Sequence, residues 1–260
     1  MPANRTGSAG TSPTGSSPAA GALAAAAILG FAGGLVVSSF AGFRDFLPEL
    51  LRGAAVTVQV AAGGSLVAVA MALLATAARL YAPLPLRWLA VAYVELFRGT
   101  SALVQLFWLF FVLPMFGISL SPMTAGIAAL GLNIGAYGSE VMRGAIEAVP
   151  RSQWEAASAL SLGRFRTLRR VILPQAFVTM IPPWGNLFIE LLKATSLVSL
   201  ITLSDLAFKA QQLNQTTLRT VEIFGIVLLI YLALSLLVTL AMRALEHRAG
   251  RRLLRGKETG

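Results

Sequence analysis

An all-α membrane protein is the fold class that the sequence predicts, and three observations predict it. Of the 260 residues, 56% are hydrophobic and only 12% are charged, against about a quarter charged in a soluble domain. The mean hydropathy of +0.74 is too high for a surface that faces water on all sides. The apolar residues are also gathered into runs of roughly 20, the length a helix needs to cross the hydrocarbon core. None of the runs alternates with period two, as the strands of a membrane barrel do.

Taken in order, residues 1–21 are rich in Ser, Thr, Gly and Pro, with Arg5 the one charge, a composition that predicts a disordered tail. The run 22–40 reads as an additional N-terminal transmembrane helix within 22–46. Its alternative, a cleaved signal peptide, fits less well, because the polar leader is long and no clean small-residue cleavage site follows. Further runs at 54–78, 100–116, 123–142, 182–203 and 223–242 bring the expectation to about six transmembrane helices. A basic tail, 246–260, follows. Between the last two spans, a polar stretch around 206–220 reads as a short helix outside the bilayer.

Short-loop Lys and Arg set the orientation. With the N-terminus in the cytoplasm, fifteen basic residues fall inside, and four (Arg44, Arg52, Lys209 and Arg219) fall outside. Both termini are therefore expected on the cytoplasmic side of the membrane. The same asymmetry accounts for the net charge of +10 without nucleic acid, since basic loops meet anionic head groups.

Several chemistries are excluded by composition. There is no cysteine, hence no disulfide, thiolate nucleophile or Cys-based zinc site. The single histidine, His247, sits in the charged C-terminal region, so a catalytic triad or a His-metal site is not expected. A phosphate-binding loop needs Gly-Lys-Ser/Thr. The lysines are Lys193, Lys209 and Lys257, and only Lys257 follows a glycine, with Glu258 next. The chain is thus not expected to be an enzyme or to bind a cofactor.

The long inside segment 143–180 is not loop-like. Pro150 suits a helix start, and the residues behind it, from Ser152 to Leu160, are good helix formers with a small-residue face. Gly163 breaks the run, Arg164 onward resumes it, and Pro174 is expected to end the second helix. One reading is an amphipathic hairpin resting on the membrane surface. That reading leaves the small face formed by Glu155, Ala156 and Ala157 unexplained.

Glu155-Ala156-Ala157, with Leu173-Pro174 downstream, resembles the EAA loop of ABC importer permeases. Other segments are similar to the polar amino-acid branch of that family: Glu95-Leu96-Phe97-Arg98-Gly99-Thr100, Leu132-Asn133-Ile134-Gly135-Ala136-Tyr137, Ala148-Val149-Pro150 running on to Ala157, and Leu192-Lys193-Ala194-Thr195-Ser196. The resemblance covers about 47–245 and implies a five-helix core, to which 22–40 is an addition. It implies that Glu155, Ala156, Ala157, Ser161, Gly163, Leu173 and Pro174 form a coupling helix and its turn, docking on an ATPase. It further implies two copies of that ATPase carrying ATP and Mg, a second permease subunit (identical or related), and an extracytoplasmic solute-binding protein. The implied cargo is a polar amino acid or a related compatible solute of the ectoine type, moved inward by alternating access. The chain departs from the family pattern at Ser161, where Gly is usual, at Ser101, where Pro is usual, and at Ala194, where an acidic residue is common.

Ionisable residues inside spans are costly and mark function by default. Here they are Glu95, Arg98, Glu140, Glu190 and Lys193. Glu95 with Arg98, Glu190 with Lys193, and Glu140 with Arg143 are each spaced i, i+3, side by side on a helix. Local neutralisation is one reading. The other is a substrate pathway lined by these residues with Asn133, Tyr137, Thr195 and Ser196. The spacings Gly131/Gly135 and Gly30/Gly34 are read as close helix packing. Three rival classes remain. A gradient-driven secondary transporter would show internal repeats, a membrane enzyme would show a convergent acid, base and nucleophile, and a scaffold would leave the coupling segment unexplained.

Overall fold

The computed structural model describes the backbone of residues 18–258 and the side chains of 45–250; of the expected tail 1–21, residues 1–17 lie outside the described residues and 18–21 are already helical, and the packing around Gly30, Gly34 and the side chains of 22–40 lies outside them too. Every regular element among the described residues is helical: α1 Pro18–Tyr81, α2 Leu84–Gly99, α3 Ala102–Phe116, α4 Pro122–Glu147, α5 Arg151–Ala159, α6 Arg164–Ile201, α7 Leu206–Thr217 and α8 Thr220–Glu258. Among the described residues three segments are long and apolar enough to cross a bilayer, namely Asp45–Tyr81 of α1, Arg164–Ile201 and Thr220–Gly250, and α2 with α3 qualifies as one span bent by 109°.

Helices and expected spans do not correspond one to one. The runs 22–40 and 54–78 were expected to be separate, with an outside turn at 41–53. The backbone is instead helical from Pro18 to Tyr81, with Pro48 inside the helix. The reason lies in the side chains of the supposed turn. Phe46, Leu50 and Ala54 recur every four residues, forming one face, and that face is buried against Leu206, Ala210, Ile223 and Ile226 of α7 and α8. Packing that stripe outweighs the one backbone hydrogen bond that Pro48 removes.

The end of the coupling segment is corrected in the same way. Pro174 does not stop a helix; α6 runs through it, and through Pro182 and Pro183, to Ile201. A π turn at Leu168–Ile172 stands immediately before Leu173-Pro174. A second π turn, Trp108–Val112, stands the same distance before Pro114 in α3. Widening the turn ahead of a proline accommodates its missing N–H and its ring without breaking the helix.

At the centre is α4, with Ala125, Ala129, Leu130, Ile134 and Ser139 all buried. Its capping is conventional: Ser121 accepts from the Thr124 N–H at 3.2 Å, and Pro122 opens the first turn. Small residues let α1 cross it closely. A Cβ on Gly131 would stand 2.6 Å from Val67 Cβ and 3.0 Å from the Gly64 carbonyl, and one on Gly135 would stand 2.9 Å from Met71 Cβ. The Gly131/Gly135 pair is therefore a packing device, as expected. Gly138 gives the same room on the α6 side, where a Cβ would meet the Trp184 ring at 2.5 Å.

The polar stretch 206–220 does form a helix, α7. Asp205 caps it, accepting from the Phe208 N–H at 2.9 Å, and the Thr57 hydroxyl of α1 accepts from the Leu206 N–H at 3.1 Å. Lys209 reaches Glu49 of α1 at 3.2 Å. Asp205 is fully buried, and its Oδ2 has no hydrogen-bond partner among the described residues. Burial pushes its carboxyl up to about 6 from an ordinary value of 3.8, against the opposing pull of the backbone amides. A carboxyl raised in the folded state stabilises the fold below pH 3.8, and that contribution is lost as pH rises through about 6. Asp205→Asn keeps the capping oxygen and removes the buried charge. The variant in detergent is expected to melt above wild type at pH 7.5, with the gap closing as pH falls towards 4; a lower melting point at pH 7.5 would contradict this account.

Candidate functional site

The coupling segment folds as a helical hairpin, α5 and the start of α6, with Pro150 before the first turn and the break at Gly163, as the sequence predicts. Its two faces are distinct. Ala157 is 3% exposed and turns inward, as do Thr167 and Leu168. Glu155, Ala156, Ser158, Ala159 and Leu160 are exposed. Leu160 in particular is a large apolar side chain, 76% exposed, at the tip of the hairpin. A small-residue surface edged by one carboxylate and one apolar anchor is suited to receiving a partner's groove.

Ser161 holds the turn. Its N–H donates to the Ser158 carbonyl at 2.9 Å, and the Leu162 N–H donates to the Ala157 carbonyl at 3.0 Å. This is the paired closure of a Schellman cap, which requires a left-handed residue between its two donors. Ser161 supplies it at φ +55. The turn therefore falls where the resembling family carries Gly, and Gly163 serves the next helix start. A non-glycine residue there costs about 1 kcal/mol. Ser161→Gly is expected to raise the melting temperature by roughly 2–4 °C, whereas Ser161→Val lowers it; equal melting of all three proteins would remove the strain argument. Leu173 and Pro174 are not part of this exposed face. They line a groove between α6 and α1.

The second assembly is the bend between α2 and α3. The last carbonyls of α2 have no helical partner, and three polar side chains supply one. Gln105 Nε2 donates to the Phe97 carbonyl at 2.9 Å and to Thr100 Oγ1 at 2.7 Å. Asn133 Nδ2 donates to the same Phe97 carbonyl at 3.0 Å and to Gln105 Oε1 at 3.1 Å. Tyr137 Oη donates to the Arg98 carbonyl at 3.4 Å, and the Arg98 guanidinium lies 5.6 Å from the Tyr137 ring centre. Away from water each of these carbonyls needs a donor, so α4 pins the bend. Gln105 was not anticipated. Its signal was available, since it is the one amide in the apolar run 102–112.

The remaining expected pathway residues do not converge within one protomer. Glu140 is bound by Arg79 of α1 as well as by Arg143, at 2.7 Å, and Arg143 also bridges Glu147 at 2.8 Å. Arg79 is a partner from a distant turn that spacing could not supply. Neither Glu95 with Arg98 nor Glu190 with Lys193 forms an ion pair among the described residues, so local neutralisation does not describe them. All four are exposed. Thr195 is buried, its hydroxyl donating to the Leu192 carbonyl at 2.7 Å, and Ser196 donates to Lys193 at 2.9 Å. Among the described residues no three His, Cys, Asp or Glu side chains gather to hold a metal.

Glu95 and Arg98 lie towards the far end of α2, about 16 and 21 Å from its first residue at the helical rise. Glu190 and Lys193 lie inside the apolar span Arg164–Ile201. Unpaired exposed charges at such depth cannot rest against lipid. Each pair requires water or another subunit beside it.

Comparison with known proteins gives a consistent picture. Residues 71–251 match the family described as binding-protein-dependent transport system inner membrane component. A probable amino-acid ABC transporter permease protein, y4tF of Sinorhizobium fredii (strain NBRC 101917 / NGR234), is 44% identical, covering 80% of this chain and 90% of its own. The L-cystine transport system permease protein TcyB of Bacillus subtilis (strain 168) is 38% identical over 80% of this chain and 89% of its own. Among solved structures, an amino acid ABC transporter crystallised with histidines superposes with a TM-score of 0.76 at 32% identity, over 80% of this chain and 98% of that one. The MetNI methionine ABC transporter shares the fold, with a TM-score of 0.59 at 19% identity.

Proposed function

The chain belongs to the family of binding-protein-dependent transport inner-membrane components, and from that premise we propose that it is the permease subunit of an importer for a polar amino acid or amino-acid-like solute, compatible solutes of the ectoine type included. ABC permeases leave ATP hydrolysis to a separate subunit, and this multi-pass inner-membrane chain works with an ATPase and a solute-binding protein. In the proposed assembly two ATPase subunits carry ATP and Mg, a second permease subunit (identical or related) faces this one, and both termini are cytoplasmic. ATP-driven closure of the ATPases moves the α5 hairpin, and alternating access follows.

The observation that carries this reading is that Glu95 and Arg98 on α2, and Glu190 and Lys193 on α6, are exposed charges inside apolar spans. Across a two-subunit interface, carboxylates and cations of this kind are suited to the ammonium and carboxylate of a zwitterion. Asn133 and Tyr137 hold the bend that positions Arg98, so they act on the pathway through the backbone. Glu155, Ala156 and the exposed turn at Ser161 are the docking face, with Ala157 as its inner support.

Reconstitution tests the reading. The chain is co-expressed with its ATPase, placed in proteoliposomes, and assayed for uptake of labelled amino acids and ectoine with and without binding protein. Uptake is expected to require ATP, Mg and the binding protein together. Uptake driven by a proton or sodium gradient with the ATPase absent would replace the importer with a secondary transporter.

A further inference from the structure

Where α1 ends and α2 begins, two cavities meet at a common wall. The first, of 370 Å³, lies among α1, α2 and α4 and is lined by Arg79, Arg87, Arg143 and Glu147. The second, of 520 Å³, is an apolar groove among α1, α4 and α6 that includes Val69, Leu73 and Phe177, with Arg169 in its lining. Thr76 and Leu80 belong to both. A basic recess and an apolar groove sharing one wall have the two-part character of an amphiphile.

The charges do not cancel. Arg79 and Arg143 share Glu140, and Arg143 also holds Glu147. Arg87 is exposed and has no carboxylate partner among the described residues. Three guanidinium groups face two carboxylates, leaving one positive charge with a fork geometry that suits phosphate oxygens. Tyr81, two residues after Arg79 on α1, and Trp88, next to Arg87 on α2, are 57% and 66% exposed. Aromatic side chains with a polar edge collect at the membrane–water interface, so the recess lies at head-group depth. Val69 stands eleven residues before Leu80 on α1, about 16 Å deeper at the helical rise. The groove thus extends from the head-group level into the hydrocarbon.

We infer that this pair of cavities binds an anionic phospholipid, its phosphate on Arg87 and the Arg143 side of the recess and one acyl chain in the groove beside Leu73 and Phe177. Basic recesses between spanning helices suit anionic head groups for the reasons that hold juxtamembrane arginines to them. The proposal is independent of which solute is carried. It predicts that the lipid couples the ends of α1, α2 and α4, the last of which leads through Pro150 into the α5 hairpin.

The test uses the full chain in neutral detergent, offered equimolar phosphatidylglycerol and phosphatidylcholine, with bound lipids counted by native mass spectrometry. Wild type is expected to retain phosphatidylglycerol preferentially, and Arg87→Gln to lose about fivefold of that preference, the effect of one interfacial arginine. Leu73→Trp, which fills the groove, is expected to reduce retention with all arginines intact. Inorganic phosphate at millimolar concentration is expected not to displace the lipid; if it does, the recess is a simple anion site and the lipid proposal falls. Equal retention of both lipids by wild type, or an unchanged preference in Arg87→Gln, also overturns it. A variant that keeps its lipid but loses the ATPase would assign the recess to subunit docking instead.

Discussion

Glu155→Lys combined with Ala156→Arg is expected to abolish ATP-driven uptake while leaving the permease folded in the membrane. Both side chains are exposed on α5, so the substitutions add bulk and reverse a charge without entering the packed interior. At the centre of a docking face such changes cost about 3 kcal/mol, roughly a hundredfold in affinity for the ATPase. Co-purification of the ATPase and ATP-dependent uptake are both measured. Wild-type uptake by the double variant would remove α5 from the coupling pathway. Ala157→Arg makes the informative contrast. Ala157 is buried, so this single change is expected to disrupt the hairpin itself, seen as protease sensitivity between Pro150 and Arg164. A result in which all variants lose the ATPase but only Ala157→Arg becomes protease-sensitive separates the docking face from its support.

Gly131→Leu is expected to prevent recovery of a monodisperse permease. Even the first carbon of the new side chain would stand 2.6 Å from Val67 Cβ and 3.0 Å from the Gly64 carbonyl. The second of these is backbone, which cannot rotate aside, so α1 and α4 must separate. Overpacking of this kind costs about 3 kcal/mol or more, and the crossing organises the largest part of the core. Gly144→Ala on the same helix is the control. No atom lies within 4 Å of its added carbon, and alanine gains about 1 kcal/mol of helix propensity there. The control is expected to express and melt at or above wild type. Equal yields and size-exclusion profiles for Gly131→Leu and Gly144→Ala would mean that the crossing is not close-packed in the membrane.

Much of the site was legible because its signals are local. The helix start at Pro150, the break at Gly163 and the α1-facing glycines of α4 each depend on residues a few positions apart, where backbone geometry and helical spacing suffice. Gln105 was legible in principle, as an amide stranded in an apolar run, but its acceptors lie across a bend that spacing does not reveal. Arg79 on Glu140 was not legible at all, since 61 positions separate them. The i, i+3 spacing forms an ion pair at Glu140 and Arg143 but none among the described residues at Glu95 and Arg98 or at Glu190 and Lys193, because adjacency on a helix permits an ion pair and does not compel one.

Prolines show the same division. Pro150 acts as its sequence context suggests. Pro48, Pro174, Pro182 and Pro183 lie inside helices, because burying the apolar faces around them outweighs the lost hydrogen bonds, and a π turn absorbs the ring ahead of Pro174.

The sequence by itself determined the membrane class, the family, the position of the hairpin and the glycine face of α4, since composition, run length and short-range spacing carry those. Only the tertiary structure decided that 41–53 is helix and not turn, that Ala157 faces inward while Ala156 faces out, that Ser161 bears the left-handed turn, and that Arg87, beside an apolar groove, has no carboxylate partner among the described residues. Each of these depends on which surfaces meet across distant parts of the chain, and burial there outweighs the local preference that the sequence displays.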